Sequence, residues 1–374
     1  MSQSLNGKGR KLRYGVVGLG HIAQIAVLPA FEHAKKNSEL VALVSDDPTK
    51  LKELGKQYGV EALYDYQHFD ECLRESELDA VYIALPNNMH KEYSIRAAEA
   101  GVHVLCEKPM AMNSQECIEM IEACDKNDVK LMVAYRLHFE EANMKMVQAI
   151  QEKKIGEARL FNSTFSMQVR EGNIRTKGEM GGGPLPDIGI YCINAARYLF
   201  QDEPIEVTAI AASCDDPRFS SIDETVSAIM RFPGERVASF VCSFGAADMS
   251  RYEVVGTEGH LCVEPAYDYA MELKYEVVKG KRETRKELPK RDQFAPELLH
   301  FSDCILNNKE PEPNGLEGLA DILVIEAINE SLMTGKSINV KRVDKQDRPG
   351  IDQVHKLPGV DKPKLVHAQS GSKD

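Results

Sequence analysis

Gly18-Leu19-Gly20-His21-Ile22-Ala23 follows a β-rich run at residues 13–17 and opens a helical pattern, and its reading decides the fold. In a strand–turn–helix setting the first glycine permits the tight turn, and the second lets backbone approach a bound group closely. The small Ala23 lets the helix pack near the strand. The helix start, with His21 and Ile22, offers amide donors to phosphate oxygens. The pattern predicts a dinucleotide-binding turn.

Outward from this turn, residues 13–134 alternate short apolar runs with helical patterns. The runs at 13–17, 40–45, 79–85, 102–106 and 130–134 are mostly continuous in Val, Ile, Leu or Ala, as expected of strands buried on both faces. Asp47-Pro48 supplies a cap and a first-turn proline. Asn113 and Glu116 have capping-box spacing, and Gly101 stands where a helix should end. This alternation predicts an α/β fold with a doubly wound parallel sheet, the Rossmann arrangement, over residues 1–135.

Beyond residue 136 the texture changes. Phe161, Phe165, Met167 and Val169 alternate with Asn162, Thr164, Ser166 and Gln168, the pattern of a strand with one dry face. Further strands are expected at 206–212, 225–231, 236–244, 252–255, 260–264 and 271–278, with Gly256-Thr257-Glu258-Gly259 as a hairpin turn. Helices are expected at 296–307 and 316–334. Residues 136–340 therefore read as an α+β domain with a large, mostly antiparallel open sheet, and 341–374 as an extended C-terminal arm.

The balance of 46 basic against 58 acidic residues, a net charge of −12, argues against nucleic acid or an anionic membrane surface as partner. No apolar run approaches the ~18 residues of a spanning helix. The polar, basic stretch at 1–14 lacks the apolar core of a secretory signal, so a cytoplasmic location is expected. Nine cysteines include no Cys-x-x-Cys pair and no zinc-like spacing with histidine, so no metal is expected. Cys117 and Cys124 read as core thiols.

At the end of the second strand, Asp46 can accept hydrogen bonds from ribose hydroxyls and would repel a 2′-phosphate. Ser45 and Lys50 offer the competing phosphate site. NAD is expected, with NADP the alternative. Pro86, Asn87 and His90 end the third strand, and Glu107-Lys108-Pro109 ends the fourth; ligands of open α/β sheets bind outside such ends. Asp187 and Tyr191, four apart at the start of a helix, project from one face. Taken singly, a lysine is usually a solvated charge, an aspartate a cap and a tyrosine core. Their coincidence is what points to a site.

These segments resemble the Gfo/Idh/MocA oxidoreductase family. The match rests on Gly15–Gly20, Pro86-Asn87 with His90, Cys106-Glu107-Lys108-Pro109-Met110, Tyr135-Arg136-Leu137-His138, Asn173-Ile174-Arg175, and Gly181–Tyr191 through Asn194 to Tyr198-Leu199. It continues in Leu316-Glu317-Gly318-Leu319 and Val324–Ile328, and covers nearly the whole chain. Tyr191, where most members carry histidine, is similar to the glucose–fructose oxidoreductase branch.

The resemblance implies that Lys108, Asp187 and Tyr191 surround a substrate carbon facing the nicotinamide. It places Arg136 with the cofactor-binding set already named, and Tyr135, His138 and Arg175 beside the substrate. It implies hydride transfer between a carbinol carbon of a sugar or polyol and nicotinamide, in a homodimer or homotetramer built through the second sheet. That branch also has a long N-terminal arm around its cofactor. Only about a dozen residues precede the first strand here, so a freely exchanging cofactor is expected. A cofactor-binding sensor on the same fold, without turnover, is the rival reading.

Overall fold

The computed structural model describes residues 9–345 and 347–372. The opening of the polar N-terminal stretch, residues 1–8, lies outside the described residues. Six strands, β1 (Leu12–Val17), β2 (Ser38–Val44), β3 (Ala62–Tyr64), β4 (Ala80–Ile83), β5 (His103–Glu107) and β6 (Leu131–Ala134), form one sheet ordered β3-β2-β1-β4-β5-β6. Every pairing in it is parallel. β4 and β6 are buried at all four positions, which accounts for their unbroken apolar runs. Strand order reverses between β1 and β4, and this opens a crevice at their carboxyl ends. The three-residue β3 escaped the sequence reading because it is too short to show a period.

The helices between these strands start where local chemistry dictates. Asp47 accepts from the Thr49 and Lys50 amides at 2.9 and 3.1 Å and begins the helix Pro48–Tyr58. Asn113 accepts from the Glu116 amide at 2.9 Å, but the Glu116 carboxylate reaches back to the Met112 amide instead of that of Asn113. Only half of the expected capping box forms.

A second sheet takes β7 (Ala158–Ser166), β8 (Glu206–Ala212), β9 (Thr225–Phe232), β10 (Arg236–Ser243), β11 (Met249–Gly256), β12 (Gly259–Val263), β13 (Leu273–Lys279), β14 (Arg282–Leu288) and β15 (Ile338–Asn339). Their order is β14-β13-β12-β11-β7-β10-β9-β8-β15, antiparallel except between β7 and β10. β14 was not anticipated: its Arg-Glu-Thr-Arg-Lys-Glu-Leu is almost wholly exposed, and charge on an edge strand discourages further pairing.

The helix Gly315–Thr334 packs against both β6 and β8 and so ties the two sheets together. Beneath it Arg197, fully buried, is neutralised by Glu203, Glu317 and Asp321 at 2.6–2.8 Å. Buried charges survive only when paired in this way. All nine cysteines are unpaired, with Cys117 and Cys124 in the core. Among the described residues no helix is long and apolar enough to cross a membrane.

Candidate active site

The crevice begins at Gly18, whose φ of +93° and close approach to β4 exclude a side chain: a Cβ there would lie 2.5 Å from the Ala84 carbonyl oxygen. A Cβ on Gly20 would meet nothing within 4 Å, so this backbone is open to a bound group. His21 and Ile22 follow it into helical residues 23–30. At the end of β2, Ser45 is buried and accepts from the Asp47 amide at 3.3 Å, Asp46 is exposed, and Lys50 sits half-buried in the first helical turn. An open glycine turn flanked by a free carboxylate fits the pyrophosphate and ribose of a dinucleotide.

Across the switch point, β4 and β5 deliver Pro86, Asn87, Glu107 and Lys108. Asn87 reaches the second domain and donates to the Gly181 carbonyl at 2.8 Å. His90 is fully buried, with its nitrogens 2.9 Å from the carbonyls of Leu85 and Pro109. Burial depresses its pKa, so the neutral ring donates to one carbonyl at a time. It braces the ends of β4 and β5, with both ring nitrogens committed to backbone carbonyls. Glu107 is likewise turned inward, accepting from the Tyr82 hydroxyl at 2.9 Å; burial raises its pKa.

Lys108 extends from the end of β5 to Asp187, donating to its carbonyl at 3.0 Å and its carboxylate at 3.3 Å. Arg175 takes the other carboxylate oxygen through Nε at 2.8 Å. Burial alone would raise the Asp187 pKa, but Arg175 and Lys108 outweigh it and hold the carboxyl below its ordinary value. Burial likewise opposes the charge on Lys108, yet Tyr191, Asp187 and Glu107 raise its pKa above the usual lysine value. Lys108 is therefore an ammonium throughout the neutral range.

Tyr191 stands one helical turn from Asp187, half-buried, with the Lys108 ammonium 4.8 Å and the Arg136 guanidinium 5.0 Å from its ring centroid. Arg136 also lies 5.2 Å from the Tyr269 ring and donates to Gln293 and the Tyr267 carbonyl. Sequence reading assigned Arg136 to the cofactor and overlooked Tyr267, Tyr269 and Gln293. The aromatic cluster Tyr267-Asp268-Tyr269 was the one available signal, but nothing local ties it to a helix more than 70 residues earlier.

Tyr135 and His138 are not at this site. Their rings stack at 5.6 Å, and His138 Nε2 lies 2.8 Å from Asn194 Oδ1 inside the ionic cluster of Arg197, Glu317 and Asp321. Both are buried. The tight turn after β6 rotates successive side chains apart, sending Arg136 to one side and its neighbours to the other.

Two family models match the chain: "Oxidoreductase family, NAD-binding Rossmann fold" over residues 12–135 and "GFO/IDH/MocA C-terminal domain" over 143–262. D-xylose 1-dehydrogenase [NADP(+)] of Haloarcula marismortui is 32% identical over 340 residues, 88% of this chain and 93% of that protein. The crystal structure of aldose-aldose oxidoreductase from Caulobacter crescentus, complexed with glycerol, superimposes with a TM-score of 0.85 at 36% identity, covering 88% of this chain and 100% of that one. KijD10, a 3-ketoreductase from Actinomadura kijaniata in complex with NADP and TDP-benzene, superimposes at 0.79 with 25% identity, over 86% of this chain and 98% of that one.

Proposed function

The chain belongs to the Gfo/Idh/MocA oxidoreductase family, and from that premise we propose that it is an NAD(P)-dependent dehydrogenase or reductase of sugars or related polyols. The observation that carries this reading is the meeting of Lys108, from the end of β5, with Asp187 and Tyr191 of the second domain, beside an open glycine turn. The names of the relatives, a xylose dehydrogenase and an aldose-aldose oxidoreductase, support the substrate class.

The nicotinamide, when bound at the switch point, accepts or supplies the hydride. Every other task falls to the chain. Tyr191 takes the proton of the substrate hydroxyl or returns it. Lys108 and Arg136, both beside its ring, stabilise negative charge as it develops on oxygen. Asp187, ionised and held at both carboxylate oxygens by Arg175 and Lys108, accepts from a substrate hydroxyl and sets its orientation. Asp46 selects NAD over NADP, and Gly18, Gly20 and the amides at His21 and Ile22 receive the pyrophosphate.

The reading extends to a homodimer or homotetramer. Leu160, Ile210, Ile229, Val237, Val241 and Met249 are exposed on five adjacent strands, and the pairing register puts them on one face. Interspersed with Asn162, Thr164, Ser227 and Ser239, these exposed apolar side chains fit a protein interface, and an isologous contact is the commonest kind. A reducing cytoplasmic setting accords with nine unpaired thiols.

The test is a panel of aldoses, inositols and diols with NAD and NADP, followed at the nicotinamide absorbance. Turnover of a sugar or polyol is expected. Tight cofactor binding with no turnover across the panel would favour the sensor reading instead.

A further inference from the structure

The C-terminal arm does not trail away from the molecule. Its root is held by Lys345, almost fully buried, whose ammonium lies 2.8 Å from both Glu312 and Glu317. Past Gln353, which donates to the Glu312 carbonyl at 2.7 Å, the arm meets residues 290–292, where the Asp292 amide donates to the Leu357 carbonyl and Lys290 to that of Val360. It then returns to the glycine turn. There the Gln24 carboxamide takes both backbone groups of Val366, donating to its carbonyl and accepting from its amide, each at 2.8 Å. The same Gln24 nitrogen donates to the Leu19 carbonyl within the turn at 2.9 Å. Gln24 is buried, so the arm supplies hydrogen bonds that this amide has no water to replace.

The next residue, His367, adopts φ +45° and sets Nδ1 2.8 Å from Asp47 Oδ2, beside the ribose position at the end of β2. Four residues on, the Arg170 amide donates to the Gly371 carbonyl at 2.8 Å, and Ser372 pairs with Val169. Gly371 packs against the guanidinium that clamps Asp187: a Cβ there would lie 2.6 Å from Arg175 Nη1. Residues 366–372 thus connect the glycine turn and ribose loop with the substrate-side arginine, a reach of at most about 20 Å for extended chain. On the oxidoreductase reading these contacts fall at the two ends of the cofactor site, and one short segment is tied to both.

We infer that residues 366–372 form the outer wall of the cofactor site and retain the dinucleotide, with Gln24 and His367 as the residues that latch the arm. The inference rests on the oxidoreductase reading above. It replaces the free exchange expected from the short N-terminal stretch: retention is assigned to the opposite end of the chain. The latch is made of hydrogen bonds and one histidine–carboxylate contact, without a large apolar plug, so it can open for exchange and close again.

The test is release of prebound NADPH and, separately, NADH, chased with excess oxidised cofactor and followed by nicotinamide fluorescence. A chain ending at Leu365, and the full-length variants Gln24→Ala and His367→Ala, are compared with the unaltered chain. Truncation and Gln24→Ala should each speed release by about tenfold or more, as loss of several hydrogen bonds from a bound state acts on dissociation. Saturating NADH should also slow tryptic cleavage after Lys364 in the unaltered chain. Release rates within about twofold of one another in all proteins, or cleavage indifferent to both NADH and NADPH, would overturn the arm's role while leaving the oxidoreductase reading in place. Failure of the unaltered chain to bind either reduced cofactor would overturn both.

Discussion

The Lys108 ammonium stands over the face of the Tyr191 ring, 4.8 Å from its centroid, while its own hydrogen bonds go to Asp187. The lysine therefore does two things at once. It fixes the carboxylate proposed to orient substrate, and it lends positive potential to the phenol ring. Arg136, buried beside the same ring, adds a second cation.

Tyr191→Phe should lower kcat by roughly a hundredfold or more, the usual scale of acid–base catalysis, while NADH still binds. Lys108→Met should lower kcat as well. Steady-state kinetics with fluorescence titration of NADH decide this. Near-normal turnover in both, with circular dichroism unchanged, would reduce Tyr191 to packing and Lys108 to a spectator charge.

The Asp187 carboxyl is held below its ordinary pKa of 3.8 because Arg175 and Lys108 outweigh its burial. It stays ionised as pH falls through the usual carboxylate range and is protonated only below it. Whatever stability its ion pairs contribute is present above the unfolded pKa and lost as pH falls through the depressed one. Arg175→Met removes one cation and leaves the burial, so the pKa must rise. The acid limb of the kcat/KM profile should move to higher pH; a profile superimposable on that of the unaltered enzyme would show that Asp187 ionisation is not what the reaction needs.

Asp46→Ser should raise kcat/KM for NADP by about tenfold relative to NAD, since a 2′-phosphate no longer meets a carboxylate at the end of β2. Parallel saturation curves for the two cofactors measure it. If the unaltered enzyme already prefers NADP, Ser45 and Lys50 control the site and Asp46 does not.

Ile210 and Ile229 are 73% and 54% exposed on neighbouring strands of the open sheet face. Replacing both with lysine should lower the molar mass seen by light scattering at micromolar concentration to that of a single chain. An unaltered chain that is already a monomer, or a double variant with unchanged mass, would rule this face out as the interface.

Much was legible from sequence because local patterns carry it. Unbroken apolar runs between capped helices announced the parallel sheet, and alternation at β7 announced a one-sided strand. Gly18 and the pair Asp187–Tyr191 were readable because a turn and a helical period each span only a few residues. β14 was missed for the converse reason: an edge strand of alternating charge has no dry face to mark it.

What tertiary structure alone decided was which side chains meet. Tyr135, Arg136 and His138 are near neighbours in the chain, yet the arginine reaches the Tyr191 ring while the other two sink into an ionic cluster made with Asn194 and Glu317. Asp187 finds Lys108 across 79 residues, and Gln24 finds Val366 across 342. Periodicity records the face an element buries, since that face repeats along the chain. A contact between distant segments leaves no such repeat; it is set by how the two sheets, the helix Gly315–Thr334 and the returning arm close on one another.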